Sequence, residues 1–121
     1  MNSKYIIKNH TNTFLIRGHE YEVTAPAKFN RSTGELIDDK TLDDVALEIA
    51  NEKYRQAMGI VSPADIKRYR TRVNLSQQEL ASLMGRHPAT IELYEAGAFP
   101  AEADNRLLRA LINDDATIVR K

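Results

Sequence analysis

The chain has 121 residues, enough for one modest hydrophobic core or for two small modules that share a linker. It contains no cysteine, which excludes disulfides, thiol catalysis and thiolate zinc sites. Its 17 basic and 17 acidic side chains exclude a globally basic nucleic-acid binder, and no apolar run approaches the ~20 residues that span a bilayer. No signal peptide is evident, so we expect a cytoplasmic protein with no membrane contact.

Residues 1–40 predict a small antiparallel β module. The apolar run YII is followed by TFLIRGHEYEV, in which apolar residues alternate with others on both sides of Gly18. A glycine at that place suits the positive φ of a tight hairpin turn. An isolated hairpin is marginal in water, so we expect a third short segment around Phe29 and a turn near the sequence STG.

Residues 41–59 predict a linking helix that ends at Gly59. Its apolar residues follow the 3.6-residue period: Leu42, Val45, Ala46, Ile49, Ala50 and Ala57. Four aspartates cluster at its start: Asp38, Asp39, Asp43 and Asp44. They suggest a metal site at first sight, but the helix dipole favours carboxylates at a helix N-terminus, and this is the better explanation.

Residues 60–113 predict four short helices, and residues 114–121 predict a flexible tail. Ser62 is the expected N-cap of the first helix, with Pro63 at its first position. Ser76 and Glu79 have the spacing of a capping box at the start of the second helix. That helix is expected to end at Gly85 and to turn four residues toward the core: Leu80, Ala81, Leu83 and Met84.

The last two predicted helices complete this set. The third helix begins at Pro88 and stops at Gly97. The fourth carries an apolar stripe formed by Leu107, Leu108, Leu111 and Ile112. The overall prediction is an α+β fold with an N-terminal β module, a linking helix and an all-α domain of four to five helices.

The pattern LSQQELASLMG…TIELYEAG resembles the Xre/Cro-type helix-turn-helix family. The resemblance rests on the Leu-Ser-Gln opening, Ala81 at the expected helix crossing, Gly85 in the turn, Ile91 and the Tyr-Glu-x-Gly ending. Membership would imply a DNA-binding domain in which the second helix of the pair enters the major groove.

The resemblance places candidate DNA contacts around that motif. The start of the first helix of the pair, with Ser76 and Gln77, would meet the DNA backbone, and Arg86 and His87 would lie at the groove entrance. The alternatives are a surface capping residue for Gln77 and an exposed turn histidine for His87. A basic run adds attraction for phosphates, or forms an ordinary solvated helix face: Lys67, Arg68, Arg70 and Arg72, with the single acid Asp65.

A wider stretch, roughly residues 13–112, resembles the MqsA/YgiT-type antitoxins. The matching segments are YEVTAPAKF…TGELID, YRQAMG, VSPADIKRYR, LSQQELASLMG and YEAGAFPAEADNRLLRAL. The resemblance implies a zinc-binding β domain joined to a DNA-binding dimerisation domain, which together neutralise a toxin and repress their own operon. Asn30 and Thr33 stand where that family has a zinc-binding Cys-x-x-Cys, so we expect no metal and no cofactor here.

The recognition helix is the second departure from that family. MqsA-like proteins present an Asn near the helix start and an Arg just before the Tyr-Glu, where this chain has Ala89 and Leu93. Asn and Arg give bidentate base contacts worth ~1–3 kcal/mol each, whereas alanine and leucine offer apolar contact alone. Thr90 keeps one hydroxyl. Phosphate docking therefore survives, and sequence-specific readout is weakened.

Three functional hypotheses follow. The leading one is an antitoxin-like transcriptional regulator that binds operator DNA and a partner toxin as a homodimer. Its candidate dimer face is the set Leu107, Leu108, Leu111 and Ile112, with intradomain core as the alternative for Leu107 and Leu111. The second is a protein-interaction module, possibly the front half of a longer antitoxin, that keeps the helix-turn-helix as a scaffold. An enzyme is the weakest hypothesis, because Ser62 and Ser76 are explained as caps.

Overall fold

The computed structural model confirms the α+β class: a three-stranded antiparallel sheet is followed by five helices. It describes the backbone of residues 3–119 and the side chains of residues 3–113. The chain divides into two compact units, Met1–Met58 and Gly59–Lys121. The sheet and the first helix form the first unit, and the remaining four helices form the second.

The sheet is built on one long hairpin. Strands β1 (Tyr5–Ile16) and β2 (His19–Asn30) pair over their whole length, and β3 (Leu36–Ile37) adds to the far end of β2. Arg17 and Gly18 form the two-residue turn, and both have positive φ, 48° and 86°. Two positive φ angles are the signature of a type I′ turn, whose twist matches that of the strands. The hairpin predicted at Gly18 is therefore confirmed.

The strand boundaries differ from the sequence prediction in two places. The run YII is the start of a continuous strand, because the polar stretch KNHTN also pairs with β2. One polar pair links the strands directly, Thr11 Oγ1 to Thr24 Oγ1 at 2.7 Å. Phe29 belongs to β2 rather than to a third segment, and the third strand lies beyond the turn, at Leu36–Ile37. Cross-strand pairing overrides the local hydrophobic pattern here.

Helix α1 (Lys40–Met58) covers one face of this sheet. The buried apolar residues of the unit come from the inner faces of both strands and from one line along the helix: Ile16, Val23, Ala25, Phe29, Ala50 and Tyr54. Val45 and Ile49, predicted as part of the helix's apolar stripe, remain exposed. The sheet is mostly two strands wide, about 10 Å, so it covers only a narrow part of the helix surface.

The acidic start of α1 contacts the helix end. Asp39 Oδ1 accepts the backbone N–H of Leu42 at 3.1 Å, which is the bond of an N-cap, and Lys40 Nζ donates to Asp44 Oδ2 at 2.7 Å. Within residues 3–113 no three His, Asp or Glu side chains are placed to hold a metal ion together.

The second unit contains α2 (Pro63–Val73), α3 (Gln77–Met84), α4 (Pro88–Glu95) and α5 (Glu102–Val119). Its core combines residues of all four helices: Val61, Ile66, Tyr69, Leu80, Ala81, Met84, Ile91, Tyr94 and Leu108. Leu83, predicted to face this core, is 58% exposed, because it lies about 100° around α3 from the middle of the buried line Leu80, Ala81 and Met84. Helix α5 continues to Val119 instead of ending near residue 113, and residues 120–121 of the predicted tail lie outside the described residues.

Both predicted serine caps are confirmed. The hydroxyl of Ser62 accepts the N–H of Asp65, and that of Ser76 accepts the N–H of Glu79, at 3.1 and 3.0 Å. Asp65 and Glu79 return a bond to the N–H of their serine, which completes two capping boxes. The hydrogen bond from the Ser76 backbone lowers the pKa of Glu79.

Candidate nucleic-acid interface

Helices α3 and α4 are joined by three residues, Gly85, Arg86 and His87. Gly85 ends α3 with φ of 70°, and the side chain of His87 caps α4 by accepting the N–H of Ala89 on Nδ1 at 3.1 Å. The short turn and the fully buried Ala81 let the two helices cross closely.

A buried carboxylate, Glu95, fixes the end of α4 against α2 and α3. The Arg70 guanidinium donates to both its oxygens, at 2.6 and 2.9 Å, and Gln77 Nε2 donates to Oε1 at 3.0 Å. Arg70 also donates to the carbonyl oxygen of Leu75 at 3.1 Å. We call Arg70, Gln77 and Glu95 the Glu95 cluster. Its three residues join three helices through charge-assisted hydrogen bonds.

The electrostatics of the Glu95 cluster favour the charged carboxylate. Burial alone raises the pKa of Glu95, but the hydrogen bonds from Arg70 and Gln77 and the nearby charge of Lys67 outweigh it, so the pKa lies below its ordinary value. The hydrogen bond to Glu95 also raises the pKa of Arg70. Lys67, three residues before Arg70 on α2, is the exposed cation whose charge acts on Glu95.

A second buried carboxylate, Asp104, fixes the turn and α4 against α5. Arg86 Nε and Nη2 both lie 2.8 Å from Asp104 Oδ1, and the Tyr94 hydroxyl donates to Oδ2 at 2.6 Å. Burial raises the pKa of Asp104, and the bonds from Arg86 and Tyr94 lower it further than burial raises it. Burial, together with the bond to Asp104, raises the pKa of Tyr94. We call Arg86, Tyr94 and Asp104 the Asp104 cluster.

These clusters change the assignment of three residues. The sequence placed Gln77, Arg70 and Arg86 against DNA, but their side chains bind Glu95 and Asp104 within the protein. A phosphate would have to compete with a buried carboxylate for each of them, which costs the desolvation of an unpaired charge. In this structure these bonds tie the helices together, and the Arg86 side chain is still 44% exposed.

The remaining predicted contacts stay on the surface. Lys67, Arg68, Ser76, His87, Ala89 and Leu93 are exposed, and Thr90 is half-buried. Arg68 pairs with Asp65, three residues before it on α2. Leu93 is 59% exposed and Glu92 lies beside it, so the outward face of α4 combines two apolar side chains with one acid.

The start of α3 leaves two backbone donors open. The N–H groups of Gln77 and Gln78 have no acceptor within the part of the chain that the structure describes, whereas that of Glu79 is capped by Ser76. Unpaired amides at a helix N-terminus form an anion-binding surface. Gln77, the first residue of α3, also bonds Glu95, whose pKa the charge of Lys67 helps to lower.

The predicted dimer face on α5 is largely part of the core. Leu108 is completely buried, which removes it from any surface. Leu111 and Ile112 are half-buried and pack against the core, and Leu107 is 36% exposed. The helix turns its apolar stripe inward because α2 and α4 need an apolar cover.

Sequence reasoning missed Glu95 and Asp104, the residues that organise the site. Tyr94 and Glu95 were recognised as parts of a motif, but no partner was assigned to either. No local signal marked either acid, since Asp104 stands among the polar residues Glu102, Asn105 and Arg106 and Glu95 is two helices from Arg70. The partners are 25 and 18 residues apart in the chain, which no local pattern reveals.

The turn after β2, where the sequence resemblance placed a Cys-x-x-Cys segment, is closed by hydrogen bonds. Asn30 Oδ1 accepts the N–H groups of Ser32 and Thr33, at 2.8 and 2.9 Å, and Thr33 Oγ1 accepts the N–H of Glu35 at 3.2 Å. Asn30 and Thr33 therefore serve as turn residues in this chain.

A scan of protein-family models gives no match to this chain, and a search of curated proteins gives none either. Within residues 3–119, no helix combines the length and the apolar character that crossing a bilayer requires.

Proposed function

We propose that the second unit is a helix-turn-helix DNA-binding domain of the Xre/Cro type and that the chain acts as an antitoxin-like transcriptional regulator. The observation that carries the proposal is the α3–α4 pair: two helices held by the Glu95 and Asp104 clusters, with two open amides at the start of α3 and an exposed outward face on α4. That is the set of features a helix pair needs to meet a DNA backbone and enter a groove.

Phosphate docking is assigned to the start of α3. The open N–H groups of Gln77 and Gln78 donate to phosphate oxygens, and Lys67 adds a charge whose effect falls with salt. Arg68 contributes less, because Asp65 partly neutralises it. The unit has few unpaired cations on this side, so we expect modest affinity with a shallow salt dependence.

Base reading is assigned to the outward face of α4. Ala89 and Leu93 can contact thymine methyl groups, and Thr90 supplies one hydroxyl. No arginine or asparagine on this face can make a bidentate base contact, so the DNA shape contributes a large part of any preference. Glu92 can accept a hydrogen bond from a cytosine amino group.

The antitoxin role, the partner toxin and repression of the chain's own operon rest on the resemblance to the MqsA/YgiT-type antitoxins. A homodimer fits this role, because paired half-sites multiply the weak specificity of a single helix. A cytoplasmic location fits DNA binding. Asn30 and Thr33 close their turn by hydrogen bonds, so the proposal needs no metal.

The test is a gel-shift on the DNA upstream of the gene, at several salt concentrations, with two charge-removing variants. Lys67→Ala should weaken binding and reduce the salt slope by about one, as loss of one phosphate contact does. Arg106→Ala is the matched control, because Arg106 is an exposed cation on α5 paired with Glu102. Equal effects of the two variants, or no binding by the parent chain at any salt concentration, would contradict the DNA-binding proposal.

One observation favours a second function, a protein-interaction module on the same scaffold. Leu93 is 59% exposed and Leu83 58%, while Gln77 and Arg86 each bond a buried carboxylate. On this second proposal the two leucines belong to one exposed apolar patch, the feature that marks protein-binding surfaces. Co-purification with a toxin encoded beside the gene tests it: Leu93→Lys should abolish the complex, and Lys67→Ala should leave it intact.

A further inference from the structure

Strand β1 lies at an edge of the sheet that has no cover. The strand order is β1-β2-β3, and within residues 3–119 no strand pairs with the outer side of β1. β1 has twelve residues, far more than the short edge strands that proteins usually tolerate. Its outer side therefore offers a long row of backbone groups to a further strand.

The hydrogen-bond pattern identifies which backbone groups point outward. Residues of an antiparallel pair alternate between positions bonded to the partner strand and positions that point away from it. The two-residue turn makes Ile16 and His19 a bonded pair, and at the other end the N–H of Arg31 donates to the carbonyl of Lys4 at 2.8 Å. Even-numbered residues of β1 therefore bond to β2, and odd-numbered residues point away.

Pro26 supports this assignment from the other strand. It lies opposite Asn9, an odd-numbered residue, so its position needs no N–H toward β1. Of the odd-numbered residues, Tyr5 is already engaged: its N–H donates to Ser3 Oγ at 3.2 Å and its carbonyl accepts from Arg31 at 3.5 Å. In the described residues the backbone groups of five others have no partner: Ile7, Asn9, Thr11, Thr13 and Leu15.

The two open edges of the sheet differ in their protection. Beyond the two residues that β3 covers, β2 carries Glu20, Glu22 and Pro26, which are features that keep a foreign strand away. β1 contains no proline or glycine, and Lys8 is its one Lys, Arg, Asp or Glu side chain. The Nζ of Lys8 lies 4.7 Å from the ring centroid of Phe29, on the inner face. The β1 edge is thus the unprotected one.

We propose that a second copy of this chain pairs with β1 in antiparallel register around a two-fold axis at Thr11. In this register Ile7 lies opposite the partner's Leu15, Asn9 opposite the partner's Thr13, and Thr11 opposite the partner's Thr11. Each of the five open residues donates one bond and accepts one, so about ten backbone hydrogen bonds form across the axis. The result is a continuous sheet of two three-stranded halves.

The side chains of β1 complement themselves in this register. Ile7 and Leu15 are the most exposed large apolar residues of the first unit, 56% and 69%, and they cover each other on the outer face. Thr11 already bonds Thr24 at 2.7 Å, so the axis joins two such pairs into a row of four threonines. On the inner face Ile6 meets the partner's Ile16 and Lys8 meets the partner's Phe14, so no like charges face each other.

The neighbouring register is less favourable. An axis at His10 would use the backbone groups of Tyr5, which would first have to release Ser3 and Arg31. It would also place Ile7 opposite the partner's Thr13 and the exposed Leu15 opposite the partner's Tyr5. The Tyr5 ring is already in contact with Lys28, whose Nζ lies 4.5 Å from the ring centroid. The axis at Thr11 uses all five open residues and disturbs no existing bond.

This interface does not depend on DNA binding. It uses the first unit, whereas the dimer face expected from the sequence was on α5, and a chain that fails to bind DNA can still dimerise through β1.

Single-cysteine variants of the cysteine-free chain test the register. In a bonded antiparallel pair the two Cα atoms are about 5.5 Å apart, within the range that a disulfide spans. Mild oxidation of Thr11→Cys should therefore give a covalent dimer on a non-reducing gel, reversed by reductant. Thr24→Cys is the matched control: the same residue type on the same face, but about 14 Å from its symmetry mate, three strand spacings away. Equal crosslinking of both variants, or of neither, overturns the proposal.

Proline variants test the interface without a crosslink. Thr13→Pro removes an N–H that points away from β2, so the hairpin keeps its bonds while the dimer loses two by symmetry. The dimer dissociation constant, measured by sedimentation, should rise roughly thirtyfold. Glu22→Pro is the control, because Glu22 lies opposite Thr13 and its N–H points toward the other edge. Circular dichroism checks that both variants fold. A parent chain that stays monomeric at all concentrations, or a dimer that both variants affect equally, overturns the proposal.

Discussion

Two carboxylates decide how the second unit is held together. Glu95 and Asp104 have side chains only 4% exposed, and each accepts hydrogen bonds from an arginine and one further polar side chain. A buried carboxylate with satisfied bonds contributes little net stability compared with an apolar residue, but the loss of one partner leaves an uncompensated charge. The arginines of these clusters therefore matter more for stability than exposed cations do.

Arg70→Ala and Lys67→Ala should separate structure from binding at neighbouring positions. Arg70→Ala leaves Glu95 buried with Gln77 alone and should cost about 3–5 kcal/mol of unfolding free energy. Lys67→Ala removes an exposed charge and should change that free energy by less than about 0.5 kcal/mol. Urea denaturation followed by circular dichroism measures both. Similar midpoints for the two variants would mean that the Glu95 cluster does not hold the helices.

The same clusters predict loss of stability in acid. The folded-state pKa values of Glu95 and Asp104 lie below their ordinary values of 4.5 and 3.8. Both carboxylates therefore add stability that is fully present above those ordinary values and is lost as the pH falls through the lower folded-state values. Melting temperatures of the parent chain should fall steeply below pH 4.5. Glu95→Gln should flatten this dependence, and an unchanged slope in that variant would count against the assignment.

At the scale of elements, helix ends were the most predictable part of this chain. Ser62 and Ser76 were identified as caps because a capping box depends only on residues three apart. The position of β3 and the exposure of Leu83 were not predictable in the same way, because each depends on which surface a distant element offers. The hairpin turn at Gly18 was predictable because a positive φ is a local property.

Gly85 offers a test of the turn between α3 and α4. A Cβ added there would meet nothing within 4 Å, so Gly85→Ala is opposed only by the φ of 70°. We expect a loss of about 1–2 kcal/mol in unfolding free energy, the usual cost of the left-handed region for a residue with a Cβ. Gly85→Asn is the control and should cost less, because asparagine tolerates this conformation. Equal losses in thermal melts would indicate a different cause.

At the scale of the whole molecule, the α+β class followed from the sequence because the period of the apolar residues changes from two to 3.6 near residue 40. The candidate site could be predicted from the sequence only in part. Its open amides could be located from the Ser76 motif and Lys67 from the basic run on α2, whereas the engagement of Gln77 and Arg86 depended on acids from other helices. Residue type therefore identified the surface but not which of its side chains are available.

Metal removal tests how the first unit is stabilised. Asn30 and Thr33 hold their turn by hydrogen bonds, and Phe29 packs beneath α1. A chelator should therefore leave the melting temperature of the purified chain unchanged within error. Elemental analysis of the same sample should find less than stoichiometric zinc. A chelator-induced drop in melting temperature would show that a metal contributes to this unit.

The separation between the two carboxylate clusters and the outward face of α4 has a consequence for how such a protein changes over time. Ala89, Glu92 and Leu93 make no side-chain bond to either cluster, while Tyr94 and Glu95, next to them in the chain, make all of theirs inward. Mutations on the outward side can therefore accumulate without unfolding the domain. The residues on the outward face of α4 can therefore be replaced, and the surface they form can change, while the two clusters keep the helix pair folded.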